Sequence, residues 1–330
     1  MDKSFLAYRI HLTDGKIRGK LETLNRDELK LGDILVRVEY SGINFKDALA
    51  ATGAGRVLRE FPLIGGIDLA GEVLESSVAR FHPGDKILAI GCGQSETRDG
   101  GYTELARVNG ECALHIPKTM DTRTVMALGT AGFTAALAVH RMEEYGQRPE
   151  LGPIVVTGAT GGVGSIAIDL FSARGYQVTA LTGKAEQHGY LESLGATETI
   201  DRKTLKLGTK PLEHARWGGA VDNLGGEILA WLTRTVKPWG NIASIGLAAS
   251  MELQTTVMPF ILRGVNLLGI NMEVGRELRA SLWERLGSDL KPHHLGQIVT
   301  REVSLSELPE CFDAYMSGSV IGRTLVRVQK

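Results

Sequence analysis

Residues 154–164 read IVVTGATGGVG, an apolar β-branched run that enters a turn carrying Gly158, Gly161, Gly162 and Gly164. Each of those glycines costs conformational entropy on folding, so a turn this bare implies that something must approach the backbone closely. Val163, Ile166, Ala167, Leu170 and Phe171 then recur at helical 3-4-7-8 spacing, which predicts strand, tight turn, helix. Ala159-x-Gly161-x-x-Gly164 is the dinucleotide fingerprint with alanine at its first glycine: bare backbone admits a pyrophosphate, and the helix N-terminus supplies N–H donors and a positive dipole. Ala159, Thr160, Gly161, Gly162, Val163 and Gly164 are therefore candidate cofactor residues. A ligand-free strand-to-helix turn would use the same glycines, but the flanking strand, amphipathic helix and second strand together favour a nucleotide.

The chain changes character on either side of this turn. Up to about Pro117, short runs such as DILVRVEYSG and HPGDKILAIG end in turn residues and predict an irregular all-β domain. From Ile154, strands and helices alternate (QVTALTG, TETI, AVDNLGG, NIASIGL), which predicts a doubly wound parallel sheet in an α/β fold. The expected division is 1–123, 124–292 and 293–330, the last segment returning to the first domain to leave a cleft between two lobes.

The second strand selects the cofactor. An NAD-preferring site places Asp or Glu about twenty residues past the glycines. Here the strand ends LTGKAE: Thr182, Gly183 and Lys184 offer a hydroxyl, open backbone and a cation, and Arg202 follows the next strand. This set suits a 2′-phosphate and hence NADPH. Either cation alone reads equally well as a solvated surface charge.

Formal charge is 37 − 38 = −1, so no global field favours nucleic acid or a membrane, and the partner expected is a small molecule. FILRGVNLLGIN is interrupted by Arg263 well short of a membrane span. Cys92, Cys112 and Cys311 are an odd number, far apart and without a C-x-x-C pair, which predicts neither a disulfide framework nor a thiolate zinc site. A reducing, cytoplasmic compartment is expected.

SGINFKD (41–47), GIDLAGEV (66–73), PGDKI (83–87), GGYTELARV (100–108), LGTAGFTA (128–135) and TGATGGVG occur in an order that resembles the medium-chain dehydrogenase/reductase superfamily over the whole chain. The details are most similar to its zinc-free quinone-oxidoreductase-like branch and the acrylyl-coenzyme A reductase group within it. The resemblance implies a GroES-like irregular β-barrel catalytic domain beside a Rossmann domain, and a homodimer paired through the sheet edge carrying VNLLGINM. Zinc-dependent members carry a cysteine and a His-Glu pair where this chain has Asn44, Ile67 and Asp68. An amide and an isoleucine do not replace a thiolate and an imidazole, and the adjacent His293 and His294 diverge, so no metal is expected.

Without a Lewis acid, alcohol oxidation lacks the group that lowers the alcohol's pKa. Reduction of an activated C=C needs only donors to hold the developing enolate. Asn44 is the candidate donor, with satisfaction of buried backbone as its bland alternative. By resemblance, Leu247, Ile270 and Asn271 lie near the nicotinamide carboxamide and Arg323 closes on the cofactor; core packing is the alternative for the first two. AATGAGRVLREFP holds no tyrosine to protonate the α-carbon, and its Arg56 reads as a contact for a coenzyme A phosphate or as a plain surface cation. The resulting expectation is NADPH-dependent reduction of a short 2-enoyl-CoA, acrylyl-CoA to propanoyl-CoA. A quinone or alkenal reductase is the alternative among enzymes, and an NADPH-binding, non-catalytic or RNA-interacting protein the alternative outside them.

Overall fold

A computed structural model describes residues 4–329, which form two compact units. The first takes the chain up to Thr130, Glu273–Ser288 and the residues from Val299 onward; the second takes Ala131–Met272 and Asp289–Ile298.

In the first unit β1 (Ser4–Thr13) and β2 (Lys16–Asn25) form a hairpin. Its Asp14-Gly15 turn has positive φ at both residues, 52° and 71°, as a two-residue hairpin turn demands. β3 (Ile34–Ile43) leads into α1 (Phe45–Thr52), followed by β4 (Leu63–Ile64), β5 (Asp68–Ser76), β6 (Lys86–Ile90), β7 (Leu105–Val108) and β8 (Leu114–His115). One sheet runs β2-β1-β4; a larger one contains β3, β5, β6 and β8, with β7 on β3. Ile34, Val36, Val38, Leu69, Val73 and Ile87 alternate inward from these strands into one buried core.

The helix α2 (Thr122–Glu144) starts in this unit and is broken at Gly129, where φ is 50° and ψ −152°. By length and composition it is long and apolar enough to cross a membrane, yet it is mostly buried within the protein.

The second unit is a six-stranded parallel sheet of β9 (Ile154–Thr157), β10 (Val178–Thr182), β11 (Glu198–Asp201), β12 (Trp217–Asp222), β13 (Val236–Ser244) and β14 (Asn266–Gly269), in the order β11-β10-β9-β12-β13-β14. The chain starts mid-sheet and winds outward in both directions, so strand order reverses between β9 and β12, where open α/β sheets bind ligands. Helices α3 (Gly162–Ala173), α4 (His188–Ser193), α5 (Gly226–Thr235) and α6 (Met258–Arg263) connect the strands. Every residue of β9, β10 and β12 is buried, which is why these strands read as continuous runs.

The late strands β15 (Val299–Val303) and β16 (Arg323–Arg327) join the first unit, β16 antiparallel to β3 with Thr324 opposite Ile43. The division departs from the expected boundaries in detail. Glu273–Ser288 already belongs to the first unit, where Arg276 donates to the Ala113 carbonyl, while Asp289–Ile298 belongs to the second, where His294 meets the buried Asp169 at 3.0 Å. Long-range contacts set these crossings, and local periodicity carries no trace of them.

The cysteine reading needs correction. Cys92 and Cys112 are joined as a disulfide, with Cα atoms 6.0 Å apart, and Cys311 is free and buried. Cys92 sits at positive φ between two glycines, and this bend carries its side chain back to the turn before β8. Sequence spacing does not reveal such a bend.

Candidate active site

The glycine turn divides its work among its residues. A Cβ on Gly164 would lie 2.4 Å from the Gly158 carbonyl oxygen and 2.8 Å from the Ala159 Cα, so this glycine lets α3 pack against the turn. A Cβ on Gly161 would meet only that same oxygen, at 3.3 Å. Gly161 therefore leaves open space above the backbone, as a pyrophosphate requires. It is the N-cap of α3, whose first turn, from Gly162 and Val163, carries N–H groups with no partner inside the helix. Thr160 and Ala159 are buried beside it. Ala159 has no positive φ, so its methyl is tolerated where the fingerprint has glycine.

A polar lock holds the strand ends at the reversal point. Thr157 donates through Oγ1 to Asp222 at 2.7 Å, the Asn223 amide donates to the Thr157 carbonyl at 2.7 Å, and Gly225 N donates to Asp222 at 2.8 Å. Burial raises the Asp222 carboxyl above its usual value. Sequence reasoning passed over Asp222 and Asn223, although VDNLGG at a strand end carried the signal.

At the ends of β10 and β11 the four residues expected at a 2′-phosphate come together. Thr182 pairs with Asp201 across the strands, Arg202 N donates to the Thr182 carbonyl at 2.7 Å, and Lys184 N donates to the Thr182 hydroxyl at 3.1 Å. The Arg202 guanidinium lies 3.5 Å from where a Gly183 Cβ would be. Partial burial holds the Lys184 ammonium below the ordinary lysine value, against the pull of Glu186.

Farther along the sheet, β13 ends at Ser244, so Leu247 lies in the following loop; at 57% exposure it is not a core residue. Ile270 and Asn271 fall just beyond β14 rather than on it, with Ile270 N donating to the Ser244 carbonyl.

In the first unit Asn44 stands at the head of α1 inside a buried polar cluster. Its two amide hydrogens go to Asp68 at 2.9 Å and Asp47 at 3.2 Å, and its carbonyl oxygen accepts from Arg323 at 3.0 Å. Asp47 also accepts from the backbone N–H groups of Asn44 and Ile67, at 2.8 and 2.9 Å. Desolvation, reinforced by the charge of Asp68, pushes the Asp47 carboxyl up to about 7. Asp68 accepts in addition from both the N–H and the hydroxyl of Thr130.

Arg323 is 2% exposed and donates to the carbonyls of Ala127 and Ile43. Two glycines make room for it: a Cβ on Gly42 would lie 2.6 Å, and one on Gly129 2.7 Å, from its guanidinium. The break in α2 thus sits where the backbone passes the Asp68–Arg323 pair. These bonds bear on two expectations: both amide hydrogens of Asn44 are engaged by buried carboxylates, and Arg323 has its guanidinium committed inside the unit, where it acts on Asn44. Sequence reasoning noted Asp68 only as a replaced zinc ligand and missed Asp47, whose place three residues after Asn44 is a capping-box spacing. Among the described residues no group of three His, Cys, Asp or Glu could hold a metal ion.

A parallel sheet with a bare phosphate turn, together with an irregular barrel that buries an Asn-Asp-Arg cluster, defines a nicotinamide-dependent oxidoreductase of the two-domain type. Residues 30–143 match the family model of the alcohol dehydrogenase GroES-like domain, and residues 162–287 that of zinc-binding dehydrogenases. The chain is 45% identical to "Probable acrylyl-CoA reductase AcuI" of Escherichia coli, over 98% of this chain and 99% of that one, and 43% identical to "Putative quinone oxidoreductase YhfP" of Bacillus subtilis, over 99% and 100%. The crystal structure of Escherichia coli K-12 YhdH with bound NADPH superposes with a TM-score of 0.95 at 44% identity, covering 98% of this chain and 100% of that chain. The chain belongs to the medium-chain dehydrogenase/reductase superfamily, in its acrylyl-CoA reductase and quinone-oxidoreductase-like branch. The open backbone at Gly161 and the Thr182–Arg202 corner fit the pyrophosphate and the 2′-phosphate of NADPH.

Proposed function

We propose that this protein reduces the C=C of a short 2-enoyl-CoA, acrylyl-CoA to propanoyl-CoA, with NADPH. The cofactor supplies a hydride to the β-carbon. The observation that carries the reading is the donor set of the buried cluster: Ile67 has no ligating atom, while Asn44 and Asp68 are already bonded within the protein. Such a set leaves no open position for a Lewis acid to activate an alcohol. A conjugated thioester is electrophilic enough without one.

Asn44 serves as a donor to the enolate oxygen by releasing the longer of its two bonds, the one to Asp47. Arg323, through the Asn44 carbonyl, acts as a positioning residue. In the dinucleotide-binding unit, Ala159–Gly164 hold the pyrophosphate, Thr182, Gly183, Lys184 and Arg202 the 2′-phosphate, and Leu247, Ile270 and Asn271 the carboxamide. The phenols of Tyr102, buried, and Tyr315, half-buried, donate to the carbonyls of Gly42 and Ile43, so the α-carbon takes its proton from water or another donor.

The test is kcat/KM with NADPH for acrylyl-CoA, crotonyl-CoA and a quinone. The highest value for acrylyl-CoA is expected, and a higher one for the quinone overturns the substrate assignment. That second reading has its own support in the 43% identity to the Bacillus subtilis protein.

We further propose a homodimer formed along β14, which is the sheet edge and, among the described residues, pairs with β13 alone. Trp239, Val257, Ile261 and Leu262, on β13 and around α6, are each more than 60% exposed, and a second copy would cover them. Light scattering should give twice the chain mass; a monomer at micromolar concentration contradicts it. The proposed location is the cytoplasm, with no nucleic acid or membrane partner. The Cys92–Cys112 disulfide is the observation that counts against that compartment.

A further inference from the structure

In the first unit, between the tip of the β1–β2 hairpin and the end of α1, lies a cavity of about 640 Å³. Lys16 and Arg56 line it together with Leu12, Ile17, Thr52 and Gly53, and no carboxylate does. Neither cation has a partner among the described residues, whereas Lys20, Lys30, Arg37 and Lys46 of the same unit are all paired with glutamates. Unpaired cations that converge on a concave surface raise the local concentration of anions.

We infer that this cavity seats the phosphate groups of coenzyme A. The C-terminal end of α1 opposes an anion with about half a negative charge, which two full positive charges outweigh. Leu12 and Ile17 give the cavity an apolar wall beside its cations, as a ligand with both apolar and phosphate parts requires. α1 has eight residues, so its end lies roughly 12 Å from Asn44 at its head. A thioester reacting near Asn44 thus has its pantetheine arm to lay along the helix, and the phosphates follow at the far end. Binding energy gathered there orients a very small acyl group without touching the reacting carbons.

The inference rests on the thioester reading above, and two measurements separate the failure of one from the failure of the other. In kinetics with NADPH, the wild-type preference in kcat/KM for acrylyl-CoA over acrylyl-pantetheine should fall roughly ten-fold for each of Lys16→Ala and Arg56→Ala, the low end for charge-assisted bonds because both side chains are exposed. Lys118→Ala, an exposed cation elsewhere in the unit, should leave it unchanged. A preference retained in the double variant overturns the inference and leaves the thioester reading standing. If the wild type reduces neither thioester, the functional reading fails, and calorimetry with coenzyme A, 3′-dephospho-coenzyme A and inorganic pyrophosphate decides the cavity by itself. Weaker coenzyme A binding in the double variant supports the site, and an equal loss on removing the 3′-phosphate assigns the cations to that group. Unchanged coenzyme A affinity in the double variant, or pyrophosphate bound as tightly as coenzyme A, overturns it.

Discussion

The glycine turn of the sheet unit and the polar cluster of the barrel unit solve opposite problems. At the turn, backbone is left bare and helix N–H groups are left without internal partners, so donors stay available for an anion. In the cluster, Asn44 and Arg323 give their donors to the protein itself, and the carboxylates of Asp47 and Asp68 accept three bonds or more each. A binding site is built from unmet valence, and a rigid scaffold from valence fully met. Substitutions in the first should therefore change affinity while sparing the fold, and in the second change the fold first.

The sharpest way to break that contrast is Arg323→Ala. It leaves the buried Asp68 charge without its counterion and takes a donor from the carbonyls of Asn44 and Ala127, and should cost about 3–5 kcal/mol in denaturant unfolding, the range for breaking a buried charge pair. Lysine should restore little of it, since one ammonium does not reach the same carbonyls in a fixed fork.

Within the turn the same contrast appears between two glycines. Gly164→Ala forces a methyl against backbone oxygen and should destabilise the second unit, whereas Gly161→Ala, at φ −78°, should keep its stability and raise the Kd for NADPH at least ten-fold. Equal loss of stability in both would show that Gly161 is merely structural.

Asp47→Asn is expected to cost about 1–3 kcal/mol, because a single amide oxygen replaces two acceptors and leaves one buried N–H unmet. It also carries a pH signature. The Asp47 carboxyl stands near 7 when folded and at the ordinary 3.8 when unfolded, so its stabilising contribution is full below about 4 and is lost as pH rises through about 7. The variant should flatten the pH dependence of stability across that window.

The difference between these regions also explains what could be read in advance. The strand, turn and helix around TGATGGVG and the strand that ends in LTGKAE follow local rules, so these elements were legible in the sequence. The barrel cluster joins Asn44, Asp68, Thr130 and Arg323 across nearly the whole chain, and hydrogen bonding at that separation has no periodic trace. For the same reason the Cys92–Cys112 bond and the reassignment of Glu273–Ser288 appeared only in the folded chain. Arg323 was picked out, but for a cofactor contact that its burial does not favour.

The NADPH corner gives the smallest expected effect on the fold. On the proposed role of Lys184 at the 2′-phosphate, a charge-assisted contact worth about 1.5–3 kcal/mol, Lys184→Ala should weaken NADPH roughly ten- to a hundred-fold while sparing NADH and thermal stability. Equal losses for both cofactors would remove Lys184 from the phosphate site.

Isotope placement reports hydride delivery from NADPH to the β-carbon of an acrylyl thioester. With NADPH deuterated at the transferable C4 position, mass spectrometry and NMR of the propanoyl-CoA formed should find the label at C3, and turnover in deuterated water should place solvent label at C2. Label from the cofactor at C2, or NADPH oxidation without labelled propanoyl-CoA, contradicts the account.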